Sequence, residues 1–140
     1  MIITPISGES TETQVITAGR RGNRTVGDRL RLTAEVTMSA SFGAPILVSG
    51  TISSIFWKGA TSGGGASDPI GLEFDLRRAG SSVTTVTVDC PDTDTGSSVT
   101  LASPLSVLEN DTLVLRLVAS STGTATNVSF PYFAAKVVAS

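Results

Sequence analysis

Apolar and polar residues alternate along the stretch from residue 27 to residue 40, and this is the clearest pattern in the chain. Apolar residues occupy every second position from Leu30 to Met38, and charged or hydroxyl residues lie between them. A period of two gives a β-strand one buried face and one solvated face, whereas a helix would scatter the same residues around its circumference. The stretch therefore predicts a β-strand, around which we expect the other strands to be arranged.

Several other stretches also predict strands. Residues 70–78 and 83–90 alternate on either side of a short turn, which predicts an antiparallel hairpin. Residues 46–57 are apolar on both faces, which indicates either a central strand or a strand covered by a second subunit. Shorter strands are predicted at residues 98–101, 105–108, 112–118 and 127–138, with a polar loop at residues 91–97, a break near Pro104 and a bend at Pro131.

This strand pattern predicts the fold class. About eight or nine strands follow one another without a helical crossover, which indicates antiparallel sheets. The 140 residues suffice for one domain with a sizeable core. We predict an all-β, antiparallel two-sheet sandwich of jelly-roll type at residues 27–140, with an extended N-terminal arm at residues 1–26. Residues 11–17 of the arm could form a further strand, and another sandwich or a closed barrel are alternatives to the jelly roll.

Basic residues concentrate where the predicted arm meets the first strand. Five of the ten fall within twelve positions, namely Arg20, Arg21, Arg24, Arg29 and Arg31. One interpretation is a solvated loop, and the other is a docking arm for an acidic protein surface. The net charge of -2 and the lack of aromatic residues among these arginines disfavour nucleic acid as the partner.

The residue inventory offers little for catalysis. The chain has no histidine, which removes Ser-His and Cys-His pairs and imidazole metal sites. Only Lys58 and Lys136 could serve a Ser-Lys dyad, and neither lies in a recognisable motif. Cys90 ends an apolar strand pattern, so we expect a small core residue rather than a nucleophile. The sequence therefore predicts a protein without catalytic residues or cofactors.

Two groups of carboxylates are candidates, one for a glycosidase active site and one for a calcium site. Glu73 and Asp75 lie on one face of a strand, about 7 Å apart, which would suit an inverting glycosidase. Arg77 shares that face, so solvated strand charges explain the pattern better. Asp92, Asp94 and Gly96 resemble the start of a calcium loop, but the bidentate Glu expected further on is missing. The turn-forming habit of Asp and Gly explains this run without a metal.

Aromatic residues offer a binding alternative, since an exposed ring can stack on a sugar. The chain is only 5% aromatic, so most rings are expected in the core. In this alternative Trp57 is the tentative ligand contact, beside the loops at residues 59–69 and 91–97. The other rings considered are Phe130, Tyr132 and Phe133.

The sequence also allows predictions about targeting and membrane association. No apolar run approaches the roughly 18 residues that span a membrane, and the first residues lack the basic start and apolar middle of a signal peptide. The single cysteine excludes an internal disulfide. We therefore expect synthesis in a cytoplasm and no membrane association.

Residues 103–117, SPLSVLENDTLVLRL, resemble a strand–turn–strand common in jelly-roll heads, where an acidic turn joins two antiparallel strands. With the Ser/Thr/Gly-rich surface, the chain is similar to bacteriophage virion proteins of two kinds. These are capsid decoration (cement) proteins and the heads of tail fibres or spikes. The first resemblance implies a non-enzymatic homotrimer in the virion that binds and stabilises the capsid shell. The second implies a carbohydrate- or receptor-binding head.

Overall fold

The computed structural model describes residues 13–19, 22–29, 31–32, 44–65 and 67–139. Every element of regular secondary structure assigned within these ranges is a β-strand. Ten are present: β1 (Thr13–Gly19), β2 (Asn23–Thr25), β3 (Arg31–Leu32), β4 (Ala44–Pro45), β5 (Gly50–Ser62), β6 (Ile70–Arg78), β7 (Ser81–Cys90), β8 (Thr93–Val107), β9 (Thr112–Val118) and β10 (Asn127–Ala139). The described part of the chain contains no helix that is long and apolar enough to cross a membrane.

The strands form two antiparallel sheets that pack as a sandwich. The larger sheet has the order β3-β1-β10-β5-β8, with β2 beside β10, and the smaller sheet has the order β4-β9-β6-β7. Eight of these strands form nested pairs: β1 with β10, β4 with β9, β5 with β8 and β6 with β7. Such nesting is that of a long hairpin rolled into two layers, which is the jelly-roll arrangement. The predicted all-β antiparallel sandwich is confirmed.

The predicted hairpin is present as β6 and β7, which pair antiparallel from Ile70–Cys90 to Arg78–Ser81. The turn residues Ala79 and Gly80 have φ angles of 53° and 83°. Two positive φ angles match the right-handed twist of the flanking strands, as in a type I′ turn. Glycine adopts this conformation without strain, which explains its position at the end of the turn.

Strand β5 is central in the larger sheet, between β10 and β8, as one of the two predictions for residues 46–57 required. It begins at Gly50 rather than at Ile46. Its pairing with β8 shifts register between Ile52 and Ser54. Because this bulge changes which side chains face inward, Ile52 is buried before it and Ile55 and Trp57 are buried after it. The bulge explains how one strand carries apolar residues on both apparent faces.

Strand β8 differs from the prediction. It runs from Thr93 to Val107, where a polar loop followed by two short strands was expected. Its partner β5 pairs Ser54 with Thr100 and Ile52 with Leu105, so four residues of β8 lie opposite one residue of β5. Pro104 falls within this irregularity, where its missing N–H breaks no ladder bond. The proline therefore produces a bulge rather than a break.

The core lies between the sheets and draws on both. Phe74 of the smaller sheet and Phe133 of the larger sheet meet with ring centroids 5.7 Å apart. Burying a side chain of this kind stabilises the fold by roughly 1.5–3 kcal/mol. The largest fully buried side chains are Trp57, Phe74, Phe133, Ile46, Ile52, Ile70, Leu72, Leu76, Leu113 and Leu115.

Part of the predicted arm belongs to the larger sheet. Strand β1 pairs with β10 along its whole length, which confirms the strand considered within the arm, and Ile16 and Ala18 lie in the core. Strand β2 also pairs with β10. The sheet therefore extends to both sides of residue 26, and a domain boundary there stays a prediction.

The stretch predicted as the organising strand is described only in part. Gly27 has a φ of 101° and follows β2 in a turn, so the strand does not begin there. Arg29 forms an isolated bridge with Arg116 of β9, and the two residues of β3 pair with β1. Residues 33–40 lie outside the described residues.

Candidate functional site

The outer surface of the larger sheet carries apolar side chains in solvent. Alternation along β1, β5 and β10 turns Ile16, Trp57 and Phe133 inward, so their neighbours along each strand point outward. We call the outward set the apolar–lysine face. It comprises Val15, Phe56, Lys58, Tyr132, Lys136 and Val138.

An aromatic pair lies at the centre of this face. The rings of Phe56 and Tyr132 meet edge to face with centroids 6.2 Å apart. Phe56 is 41% exposed and Tyr132 is 42% exposed. Gly96 of β8 lies beneath the Phe56 ring at a φ of 107°, and a Cβ atom there would collide with the ring. The glycine thus lets the ring lie flat on the neighbouring strand.

Both lysines of the chain lie on the apolar–lysine face. Lys58 is opposite Tyr132 and Lys136 is opposite Val15 in the strand ladders. Strands β1, β5 and β10 contain no carboxylate. Neither lysine forms an ion pair with any described residue. The face therefore combines exposed apolar area with positive charge that no described carboxylate pairs.

The outer surface of the smaller sheet has the opposite character. Arg116 of β9 pairs with Glu73 of β6 at 3.1 Å, and Arg77 pairs with Asp75 at 2.9 Å. Asp75 also accepts a 2.6 Å hydrogen bond from the hydroxyl of Ser82. We call these residues the paired-charge face, since each carboxylate there has a cation beside it.

Glu73 and Asp75 line a cavity of about 170 Å³ on that face, together with three arginines. A glycosidase needs two carboxyl groups that are free to face one sugar bond, whereas Glu73 is paired with Arg116 and Asp75 with Arg77. The arrangement therefore supports the interpretation of solvated strand charges.

The structure separates the predicted arginine cluster. Arg24 lies on β2, which pairs with β10 of the larger sheet, whereas Arg29 lines the cavity beside Glu73 on the smaller sheet. The backbone of Arg31 pairs with Gly19 in β3. Arg20 and Arg21 lie outside the described residues. Arg24 and Arg29 thus lie in different layers of the sandwich, because Arg24 pairs with β10 and Arg29 pairs with β9.

The tentative ligand contact through Trp57 needs correction. Trp57 is 0% exposed, and its Nε1–H donates a 3.0 Å hydrogen bond to the carbonyl oxygen of Pro91. A ring with no exposed face cannot stack on a sugar. Sequence reasoning did not single out Phe56, because the irregularity near Ser53 that precedes it depends on the pairing of β5 with a distant strand.

One end of the sandwich is acidic, and its loops are tied together by aspartates. Asp92 accepts a 2.9 Å hydrogen bond from the Thr61 N–H, and Asp68 accepts one of 2.9 Å from the Thr124 N–H. Asp89 accepts hydrogen bonds from the residues that follow β9. We call this end the acidic end. It comprises Asp68, Asp89, Asp92 and Asp94.

Hydrogen bonding lowers the pKa of two of these aspartates, Asp68 and Asp89. The N–H and hydroxyl of Thr124 hold the pKa of Asp68 below its ordinary range. Burial raises the pKa of Asp89, but hydrogen bonds from Ser121, Ser120 and Thr122 outweigh it and leave the pKa lowered. No three histidine, cysteine or acidic side chains come together as a metal site within the described ranges.

Cys90 is not placed to act as a nucleophile, and a groove between two strands at the sheet edges holds one carboxylate. Cys90 is fully buried, which confirms the expected core position, and burial raises the pKa of its thiol well above the ordinary value. A cavity of about 620 Å³ opens between the edge strands β7 and β8. Its lining includes Val86, Leu105 and a single carboxylate, Asp89, which is already occupied by hydroxyl donors.

Comparisons with known proteins carry no argument about the function of this chain. No protein-family model matches the chain, and no curated protein sequence matches it. Among solved structures, the chain is similar to a chain in a structure of infectious bursal disease virus, Gx strain, at 13% identity and a TM-score of 0.41. The similarity covers 99% of this chain and 36% of that one. This chain therefore spans about a third of the length of that neighbour, and the likeness is too distant to indicate a function.

Proposed function

We propose that this chain is a non-enzymatic structural protein of a virion, and specifically a trimeric capsid decoration (cement) protein that binds and stabilises the shell. The apolar–lysine face is the observation that supports it. An aromatic pair and two valines lie in solvent on a flat sheet surface, and such apolar patches mark contacts between proteins. The resemblance of residues 103–117 to jelly-roll virion heads points to the same class.

The described chemistry favours attachment over catalysis. The carboxylates Glu73 and Asp75 are ion-paired and Cys90 is buried, and at the acidic end Asp68, Asp89 and Asp92 serve as loop ties. A rigid sandwich with a low content of charged residues, 16%, suits a protein that covers another surface. In this proposal the protein belongs to the virion and is synthesised in the host cytoplasm.

Shell binding is the direct test. The purified protein is mixed with undecorated shells of the virus that encodes it, and the bound fraction is measured by co-sedimentation at increasing salt. We expect saturable binding and a rise in the shell's melting temperature. Failure to bind intact shells at low salt would overturn the proposed function.

The predicted basic docking segment is tested by substitution. Removing residues 2–24 would delete β1 and disturb the core, so Arg20→Ser, Arg21→Ser and Arg24→Ser are combined instead. We expect weaker shell binding and a shallower loss of binding with salt than in the wild type, because fewer charged contacts remain for salt to screen. Arg116→Ser on the paired-charge face is the matched control and should bind like the wild type. Equal binding by both variants would remove these arginines from the interface.

A carbohydrate- or receptor-binding head of a tail fibre or spike is the second candidate, and the exposed Phe56–Tyr132 pair is the observation that favours it. Tyr132→Ala should then abolish binding on a glycan array, while the fold persists. Trp57→Ala is unsuitable for this test because Trp57 lies in the core. Absence of wild-type binding across a broad array would count against this candidate.

A further inference from the structure

We infer that the apolar–lysine face is covered by a second copy of this chain, whose acidic end packs against it. This inference rests on the proposed trimer and names the surfaces that form it. It commits to one occupant, a neighbouring subunit, in a head-to-tail contact of face against end.

Apolar exposure shows that the face is incomplete in a single chain. Val15 is 63% exposed and Val138 is 45% exposed, on either side of Lys136. A shallow depression of about 280 Å³ lies between Val15 and Phe56, and its lining includes Lys136. Burial of this area would remove apolar surface from water, which is the main driving force of association.

Charge complementarity identifies the occupant. The face presents Lys58 and Lys136 without an ion-pair partner among the described residues. The segments of the acidic end at residues 59–69 and 91–97 contain Asp68, Asp92 and Asp94, and neither these segments nor residues 119–126 contain lysine or arginine. One chain therefore carries both a cationic apolar surface and an anionic surface, and no ion pair between described residues involves the lysines of the first or the aspartates of the second.

Symmetry favours contact between face and end rather than between two faces. In a two-fold arrangement of two apolar–lysine faces, lysines would lie near lysines, and like charges across an interface are strongly unfavourable. Contact between two different surfaces of the same chain is heterologous, and repetition of such a contact closes a ring when the rotation allows it. A trimer is the ring that the resemblance implies.

A charge-swap experiment tests the inference on the full chain. Native mass spectrometry and sedimentation velocity give the particle mass, which should be three times the 14.3 kDa chain mass for the wild type. Lys58→Glu with Lys136→Glu should raise the dissociation constant of the assembly by roughly 100-fold. Asp92→Lys with Asp94→Lys should do the same.

The combined variant provides the rescue. With all four substitutions, the swapped charges again face their opposites, and the trimer mass should return. Arg116→Glu with Glu73→Arg reverses the charges of the paired-charge face and should leave the mass unchanged. Each variant is first checked for a cooperative melt, and Lys136→Glu alone replaces the double variant if that one fails to fold.

Three outcomes overturn the inference. The first is a wild-type protein that stays a monomer at the highest soluble concentration. The second is a set of folded single-surface variants that keep the wild-type mass, and the third is a folded combined variant that does not regain that mass. A monomer that still binds shells would contradict this inference while leaving shell binding intact, so the two failures are distinguishable.

Discussion

The two outer faces of this sandwich follow the same alternation but differ in what they offer to solvent. On the smaller sheet, Glu73 is paired with Arg116 and Asp75 with Arg77. On the larger sheet, the equivalent positions carry an aromatic pair and two lysines that no described carboxylate pairs. The charges of the first face are already paired while that face is in water, whereas covering the second face is favourable because it removes apolar surface from water.

This difference shows that the period of two identifies the outward residues but not their purpose. A face whose charges pair among themselves needs no partner, because burying it would cost desolvation without new compensation. A face with apolar area and separate cations can gain both hydrophobic and electrostatic free energy from an acidic partner. Substitutions on the two faces and in the core test this contrast.

The sharpest test compares two adjacent residues of β5 that point in opposite directions. Trp57→Ala should lower the free energy of unfolding by about 3–5 kcal/mol, since the ring is fully buried and its Nε1–H is bonded. Phe56→Ala should cost less than about 1.5 kcal/mol in the monomer, because its ring is partly exposed. Urea unfolding measures both. Equal losses would contradict the assignment of Phe56 to an outer face.

The next effect separates an ion pair whose carboxylate is buried from the pairs on the paired-charge face. Asp111 is 1% exposed, accepts two hydrogen bonds from Arg78 at 2.7 and 2.8 Å, and accepts a third from the Leu108 N–H. Asp111→Asn should lower the free energy of unfolding by about 2 kcal/mol. A loss below about 0.5 kcal/mol, the size expected for a surface pair, would show that burial adds nothing here.

The same residue predicts a pH dependence. The hydrogen bonds from Arg78 hold the pKa of Asp111 below its ordinary value in the folded state. A lowered folded pKa stabilises the protein above the unfolded value of about 3.9, and this stabilisation is lost as pH falls through the folded pKa. The difference between wild type and Asp111→Asn should therefore be full at neutral pH and shrink below about pH 4. A difference that grows in acid would have the wrong sign.

The smallest effect is expected on the paired-charge face itself. Arg116 is 44% exposed at its side chain, and Glu73→Gln removes its partner. We expect a change of less than about 0.5 kcal/mol in the free energy of unfolding, further reduced by salt. The particle mass should not change. Loss of assembly in Glu73→Gln would indicate that the interface lies on the smaller sheet and would contradict the inference.

The sequence predicted the regular strands well. Leu113, Leu115 and Leu117 alternate without interruption, and β9 occupies the predicted residues 112–118. The hairpin of β6 and β7 was predicted equally well, because its turn is local and its two strands keep their register from Ile70 to Leu76.

The surfaces were predicted less well, because they depend on pairing between distant residues. The bulge opposite Ser53 arises from the ladder with β8, and it decides that Trp57 is buried and Phe56 exposed. Likewise, Arg24 and Arg29 are close in sequence but pair with β10 and β9, which lie in different sheets. A periodicity within one strand contains no information about either event.

Lysine labelling offers the most direct test of the central claim, that the apolar–lysine face is covered in the assembled protein. Lys58 and Lys136 are the only lysines, so limited acetylation followed by peptide mass spectrometry reports on this face alone, apart from the N-terminal amine. Both lysines should react far more slowly in the native assembly than in the Phe56→Ala variant, which is kept dilute so that it stays a monomer. Equal labelling rates in the wild-type particle and in that monomer would show that the face is uncovered and would contradict the inference.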